Sequence, residues 1–480
     1  IEDFGAVENT DFSVAFRLAI SVSGGKTVHI PNKRFIYDGV VISDNIVVIR
    51  GSKMPNVNSA FTSLENGSII EGTISLTGKY VDIRNFGVDL GTSTTSADGD
   101  GIKCTTALNS GVHLHTENVI SLLKNKTSPF HALVFESYLK HTGGNISGNH
   151  GFFGCVIKNQ NVNISSIYTN KNDSDGLYLK SDTSFGTCKN ININSVIVDG
   201  DATQDFGLRV QATDKVLENV NINSVIIKGC ATPIIAQTTD QPLTQLNIGK
   251  AILNTPTLRG VYSQAGTGVI NGFHIDELFI VNATDTGVEY FGPQKSVSIG
   301  YANIVYATGT AQADWDKGIV VGGPVSDTDF SGVNINQLYS SVNKGSIKYN
   351  NSTFVNGNKL GSYNCLIKGA GKPLIGLSAP VDTGATVKVT PTYNSREKSS
   401  IVKAKPTANT TVTSIEFIAA GGTEVYDSGY GLTIINDSAF TYTINHGAAG
   451  KIINKGGLNV VIPTNEIARY IFGGAVWHQV

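Results

Sequence analysis

A short strand motif recurs nine times between residues 101 and 321, and it limits what the chain can fold into. The copies are Gly101–Cys104, Ala132–Phe135, Gly154–Ile157, Gly176–Leu179, Gly207–Val210, Pro233–Ala236, Gly260–Ser263, Gly287–Tyr290 and Gly318–Val321. Successive copies lie 31, 22, 22, 31, 26, 27, 27 and 31 residues apart. A second strand follows most of them: Asn161–Ile167, Asn190–Ile197, Asn219–Ile226, Gln245–Ile252, Gly272–Phe279, Ser296–Ile304 and Gly332–Tyr339. Units repeated at such a period bury a core only against their neighbours. Apolar and polar residues alternate within each strand, so one face is dry and one is wet. The pattern predicts an all-β chain, a right-handed parallel β-helix, with each repeat forming one rung of the solenoid.

Composition fits this fold. The 480 residues suffice for a large core and more than one domain, and only 15% are charged. Gly at 53 residues, with abundant Asn, serves turns, and Asn can form ladders on successive rungs. A net charge of -2 gives no case for nucleic acid. No apolar run reaches membrane-spanning length, so no membrane partner is expected. The five cysteines are scattered without CxxC spacing and read as reduced thiols. No cofactor or metal is expected; a site built from His113, His115, His131, His141 and His150 is the weaker alternative to surface imidazoles. Sequons at Asn66, Asn125, Asn145, Asn163, Asn282 and Asn351 read as turn and ladder chemistry.

Residues 1–26 read as a cap. Phe12, Ala15, Phe16, Ala19 and Ile20 fall at helical spacing, with Asp11 as N-cap and Gly24-Gly25 as the stop. The β-helix is expected over 27–350, a connection over 351–372, and a separate β-sandwich-like domain over 373–480, where the period is lost. The chain opens on a domain motif at Ile1 without Met, and we expect a segment upstream of it.

The opening carries a resemblance. Asp3–Val7, Asn9–Asp11, the short helix, Gly24–Pro31 and Phe35–Tyr37 resemble the start of the pectate-lyase-superfamily β-helix. The layout of capped solenoid and β-tail resembles a bacteriophage tailspike depolymerase. That resemblance implies a homotrimer in the virion, joined to the phage tail or baseplate through the upstream segment. It implies capsular or other bacterial surface polysaccharide as the partner. It does not choose the bond cut, because one fold hosts several chemistries.

Alternation around Leu177 and Leu179 turns Tyr178 and Lys180 outward. The same register in each copy gives two exterior columns. One runs Lys103, Val134, Val156, Tyr178, Arg209, Ile235, Tyr262 and Glu289. The other runs Thr105, Glu136, Lys158, Lys180, Gln211, Gln237, Gln264 and Phe291. Tyr178, Lys180, Arg209, Gln211, Gln237, Tyr262, Gln264 and Lys158 are the candidate substrate-binding residues: rings stack on sugar faces, amides bond hydroxyls and cations bind acidic sugars. Any wet solenoid face is polar, which is the plainer explanation. Glycosidic hydrolysis commonly uses two carboxyl groups about 5 to 9 Å apart. Asp175 and Asp205 precede the motif in adjacent rungs, about 4.8 Å apart. They are the leading catalytic candidates, followed by Glu136, Glu289 and Asp173. Turn capping is the alternative for each acid. Endo-glycosidic hydrolysis is the first reading. A lyase using Lys158, Lys180, Arg209 or Tyr178 is the second, and a glycan-binding adhesin without catalysis the third.

Overall fold

The structure is a computed structural model. It describes residues 1–37, 41–59, 62–90, 99–107, 110–123, 130–183 and 187–307. Beyond these it describes 317–322, 325–326, 333–337, 346–350, 364–367, 386–389, 399–404, 406–417, 430–436, 438–447, 452–472 and 476–480. The sequons at Asn125 and Asn351 lie outside the described residues.

One large sheet dominates, with all its described pairings parallel and each strand bonded to the rung before and after. This is a parallel β-helix. Single strands turn corners: Cys188–Ala212 and Leu217–Thr238 each run nearly a full rung. The inward column Leu133, Cys155, Leu177, Leu208, Ile234, Val261 and Val288 is in register and fully buried. Each buried aliphatic contributes about 1.5–3 kcal/mol of transfer free energy. Stacking identical positions thus turns a weak local pattern into a continuous core.

Two features of the repeat have direct structural causes. The glycine that opens the motif is closed in by residues of the neighbouring strands. A Cβ on Gly176 would lie 2.6 Å from the Gly207 carbonyl oxygen, 2.7 Å from Thr169 Oγ1 and 2.8 Å from Val198 Cγ1. The residue that opens the second strand is left-handed: φ is 46° at Asn161, 54° at Asn190, 56° at Asn219 and 59° at Gln245. Asn tolerates this region better than most residues. Its side chain then donates to the rung before, Asn190 to Asn161 at 2.9 Å and Asn219 to Asn190 at 3.1 Å.

The cap is helix α1, Ser13–Ser23. Phe12, Ala15, Phe16, Ala19 and Ile20 are buried against the first rungs, where Phe12 and Phe16 pack on Phe35 and Tyr37. Asp11 stands one residue before the N-cap position Phe12 and accepts from the Ser13 N–H at 2.8 Å. Gly24 and Gly25, at φ 59° and 87°, end the helix.

The solenoid outlasts the expected end at 350. Asn364–Ile367, inside the segment read as a connection, pairs in parallel with Val333–Gln337. The C-terminal β-sandwich has its own core, which includes Val412, Leu432, Ile434, Tyr442, Tyr470 and Trp477. Here antiparallel pairs appear, such as Tyr430–Asn436 with Ile467–Phe472. Among the described residues no helix is long and apolar enough to cross a membrane. Cys104, Cys155, Cys188 and Cys230 are free and buried.

Candidate active site

The register places Lys103, Val134, Val156, Tyr178, Arg209, Ile235, Tyr262 and Glu289 in one column. Lys180, Gln211, Gln237, Gln264 and Phe291 stand in the next, with Glu136 opposite Lys158. A third column, at the residue before each motif glycine, lies beside them: Phe153, Asp175, Phe206 and Thr232, then Arg259 and Thr286 farther up.

The expectation of a uniformly wet stripe is corrected. Tyr178, Glu136 and Gln211 are only 7%, 5% and 9% exposed, and Val134, Val156 and Ile235 are buried as well. The cause is interlocking between columns. The Phe153 ring meets Tyr178 edge-on at 5.1 Å, and the Tyr178 hydroxyl donates to Gln211. Lys158 Nζ lies 2.9 Å from Glu136 and 3.6 Å from Asp182. Lys180 lies 2.9 Å from the same Asp182, which is itself buried.

Asp175 and Asp205 also differ from expectation. Asp175 pairs with Phe206, so Asp205 sits one residue upstream of it in the adjacent rung, off its column. Asp175 is fully buried and Asp205 is exposed. Arg209 closes over Asp175: its Nη1 is 3.7 Å from the carboxylate, too long for a hydrogen bond. Ser174 Oγ donates to the other oxygen at 3.1 Å. Burial pushes the Asp175 carboxyl up to about 7. Arg209 and the Ser174 bond oppose this, and the Asp205 charge reinforces it. Arg209 is held in turn by Gln237 at 3.0 Å and lies over the rings of Tyr178 at 4.9 Å and Phe206 at 5.4 Å. Gln237 donates onward to Gln264 at 3.1 Å. Asp173 is half-buried, its N–H bonded to the Gly151 carbonyl.

Glu289 and Tyr262 stand farther up the same face, away from Asp175. Arg259 bonds Glu289 and lies 4.3 Å from the Tyr262 ring centre. Arg259 and Asp182 are residues that the sequence reading missed. Both carried a signal: Arg259 occupies the position of Asp175 before its motif glycine, and Asp182 continues the alternation two residues beyond Lys180.

Two of the histidines lie together, their ring centres 6.5 Å apart. His113 and His115 share Thr142 Oγ1, each at 2.9 Å. His141 is buried between Thr116 and Asn159, and burial pushes it down to about 3. His131 stacks on Phe153 at 4.6 Å and is pushed down to about 4, chiefly by burial. Among the described residues no three His, Cys, Asp or Glu gather as a metal set would require.

Residues 382–478 match the family described as phage depolymerase C-terminal beta sandwich domain. A search of curated proteins gives no match. Among solved structures the chain is similar to the A-module of the mannuronan C-5 epimerase AlgE6 of Azotobacter vinelandii. Identity is 14%, coverage 74% of this chain and 97% of that one, and the TM-score 0.29. A likeness that loose says nothing about chemistry.

Proposed function

We propose that this chain is a tailspike depolymerase of a bacteriophage, acting from the virion on capsular or other surface polysaccharide of the host. We further propose endo-glycosidic hydrolysis, with Asp175 as the proton donor and Asp205 as the base or nucleophile. One observation carries the mechanism: the fully buried carboxyl of Asp175, which burial pushes up to about 7, lies one rung from the exposed side chain of Asp205. Two acids in unlike environments are what bond cleavage of this kind divides between its two roles. Arg209 covers Asp175, so a sugar ring must take the place of the guanidinium before the proton can reach a glycosidic oxygen. The matching C-terminal sandwich supports the phage and depolymerase part of the reading.

Lyase chemistry fits less well. Burial raises the Tyr178 hydroxyl, so little of the phenolate that would abstract a proton is present near neutral pH, and Lys158 and Lys180 are tied to Glu136 and Asp182. The deciding measurement is mass spectrometry of products from a panel of bacterial capsules, with ultraviolet absorbance. Reducing ends without unsaturated sugars support hydrolysis. Unsaturated products overturn it, and no cleavage of any capsule leaves the adhesin reading.

A further inference from the structure

The strand segments that follow the motif carry a second polar face. Asn163, Asn192, Asn221 and Asn247 stand in one column there. Asn194 and Asn223 stand beside them at the next bend, and Gly249 follows in that series. Together they line a shallow open trough of about 330 Å³. All six asparagines are exposed or half-buried. Their amides are fixed in one sense along the axis. Asn221 donates to Asn192 at 3.2 Å, Asn247 to Asn221 at 2.9 Å, and Asn223 to Asn194 at 3.2 Å.

We propose that this trough binds an uncharged, hydroxyl-rich chain: a neutral stretch of polysaccharide, held apart from the Asp175 face. An amide has two donors and two acceptor lone pairs. A ladder bond to each neighbour uses one N–H and one lone pair. Asn221, bonded on both sides, keeps one N–H and one lone pair; Asn192, Asn194, Asn223 and Asn247 spend only one group each and keep more, and the rungs repeat about every 4.8 Å. A hydroxyl both donates and accepts, so successive sugar hydroxyls pair with either. The trough lining holds no charged side chain, and its two isoleucines, Ile193 and Ile222, are turned into the core. It therefore lacks the means to select an ionic ligand or an apolar one. Preset polar groups also lower the ordering cost of binding. This site does not depend on the chemistry at Asp175.

The test is titration calorimetry of the full chain with maltohexaose and cellohexaose, two uncharged linear probes, and with a carboxylated hexagalacturonate control. We expect at least one neutral probe to bind, and the control to gain nothing from the trough. Asn192→Ala with Asn221→Ala should weaken that binding at least tenfold, while Asp175→Asn leaves it unchanged. Should the double variant fail to fold, Asn221→Asp keeps the shape, removes donors and adds charge, and should weaken binding similarly. If neither neutral probe binds, the proposal is overturned. It is also overturned if the Asn variants lower the melting temperature and bind as the parent does, since the ladder is then structural. Loss of hexagalacturonate binding in those variants assigns the wrong ligand class and equally ends it.

Discussion

Burial sets the chemistry of Asp175. In its proposed role of proton donor it must be protonated, so turnover should fall as pH rises through about 7. Stability follows the same group. Its folded value lies above its unfolded one, so the folded chain holds a proton that the unfolded chain has released between about pH 4 and 7. Stability from this group is complete below pH 4 and declines as pH rises to about 7, by an amount on the order of 4 kcal/mol. Asp175→Asn removes the titration. We expect this variant to lose at least 100-fold in turnover, to keep its glycan binding, and to melt higher than the parent at pH 8 but not at pH 5. Rate assays, binding and melting curves at the two pH values check this. Asp205→Asn should lose turnover comparably with little change in melting, since it is exposed. If both variants keep near-normal rates the chemistry lies elsewhere, and Glu289, Glu136 and Asp173 are the next acids to replace.

At the scale of the strand, the motif glycine is a packing device. Its φ at Gly176 is not the left-handed kind; what excludes a side chain is the approach of Thr169, Val198 and the Gly207 carbonyl. Gly176→Ala should therefore destabilise by about 1–3 kcal/mol through overpacking. Gly144, by contrast, meets only the Glu117 side chain, nearest at 3.0 Å to Cγ. Gly144→Ala should change melting little, because that flexible chain can move. Chemical unfolding of the two variants in parallel separates a clash with backbone from one with a mobile neighbour. The interlocked residues Phe153, Tyr178, Gln211, Glu136 and Lys158 belong to this scale as well. Of these, Tyr178 meets Arg209, whose guanidinium lies 4.9 Å from its ring centre.

At the scale of the molecule, the third run of strand segments presents an apolar column to solvent: Tyr168, Ile197, Ile226, Ile252 and Phe279 on successive rungs. Nearer the cap, the hairpin strands Asn56–Val57 and Leu64–Glu65 cover this side, where Leu64 clusters with Ile69, Ile120 and Leu122. Farther on the column is half-buried to exposed, with Ile226 at 37%. A straight apolar ridge with a rung period is matched best by the same ridge on another copy. We therefore expect the homotrimer that the family resemblance implies to form along this flank. The full chain should sediment as a trimer at micromolar concentration, and Ile226→Lys should shift it toward monomer without changing its circular dichroism. A monomeric parent chain would refute the assembly. Deleting residues 373–480 should impair assembly or solubility before it affects cleavage, because the acids named above all lie in the solenoid.

The sequence alone determined what periodicity can encode. Repeating Gly and alternating aliphatics fixed the parallel solenoid, the inward columns and the order of the outward ones, because a parallel stack converts equal motif position into spatial adjacency. It also marked Asp175 and Arg209, which stand in neighbouring columns on adjacent rungs. Only the tertiary structure decided which outward residues meet solvent. Tyr178, Glu136 and Gln211 alternate as surface residues do, yet side chains from adjacent columns cover them, and alternation carries no information about such lateral contacts. For the same reason Asp175 and Asp205 looked alike in the sequence. One residue of offset at a bend puts the first under Arg209 and leaves the second in water. Solvation, not residue type, then separates a carboxyl that burial pushes up from one that water surrounds.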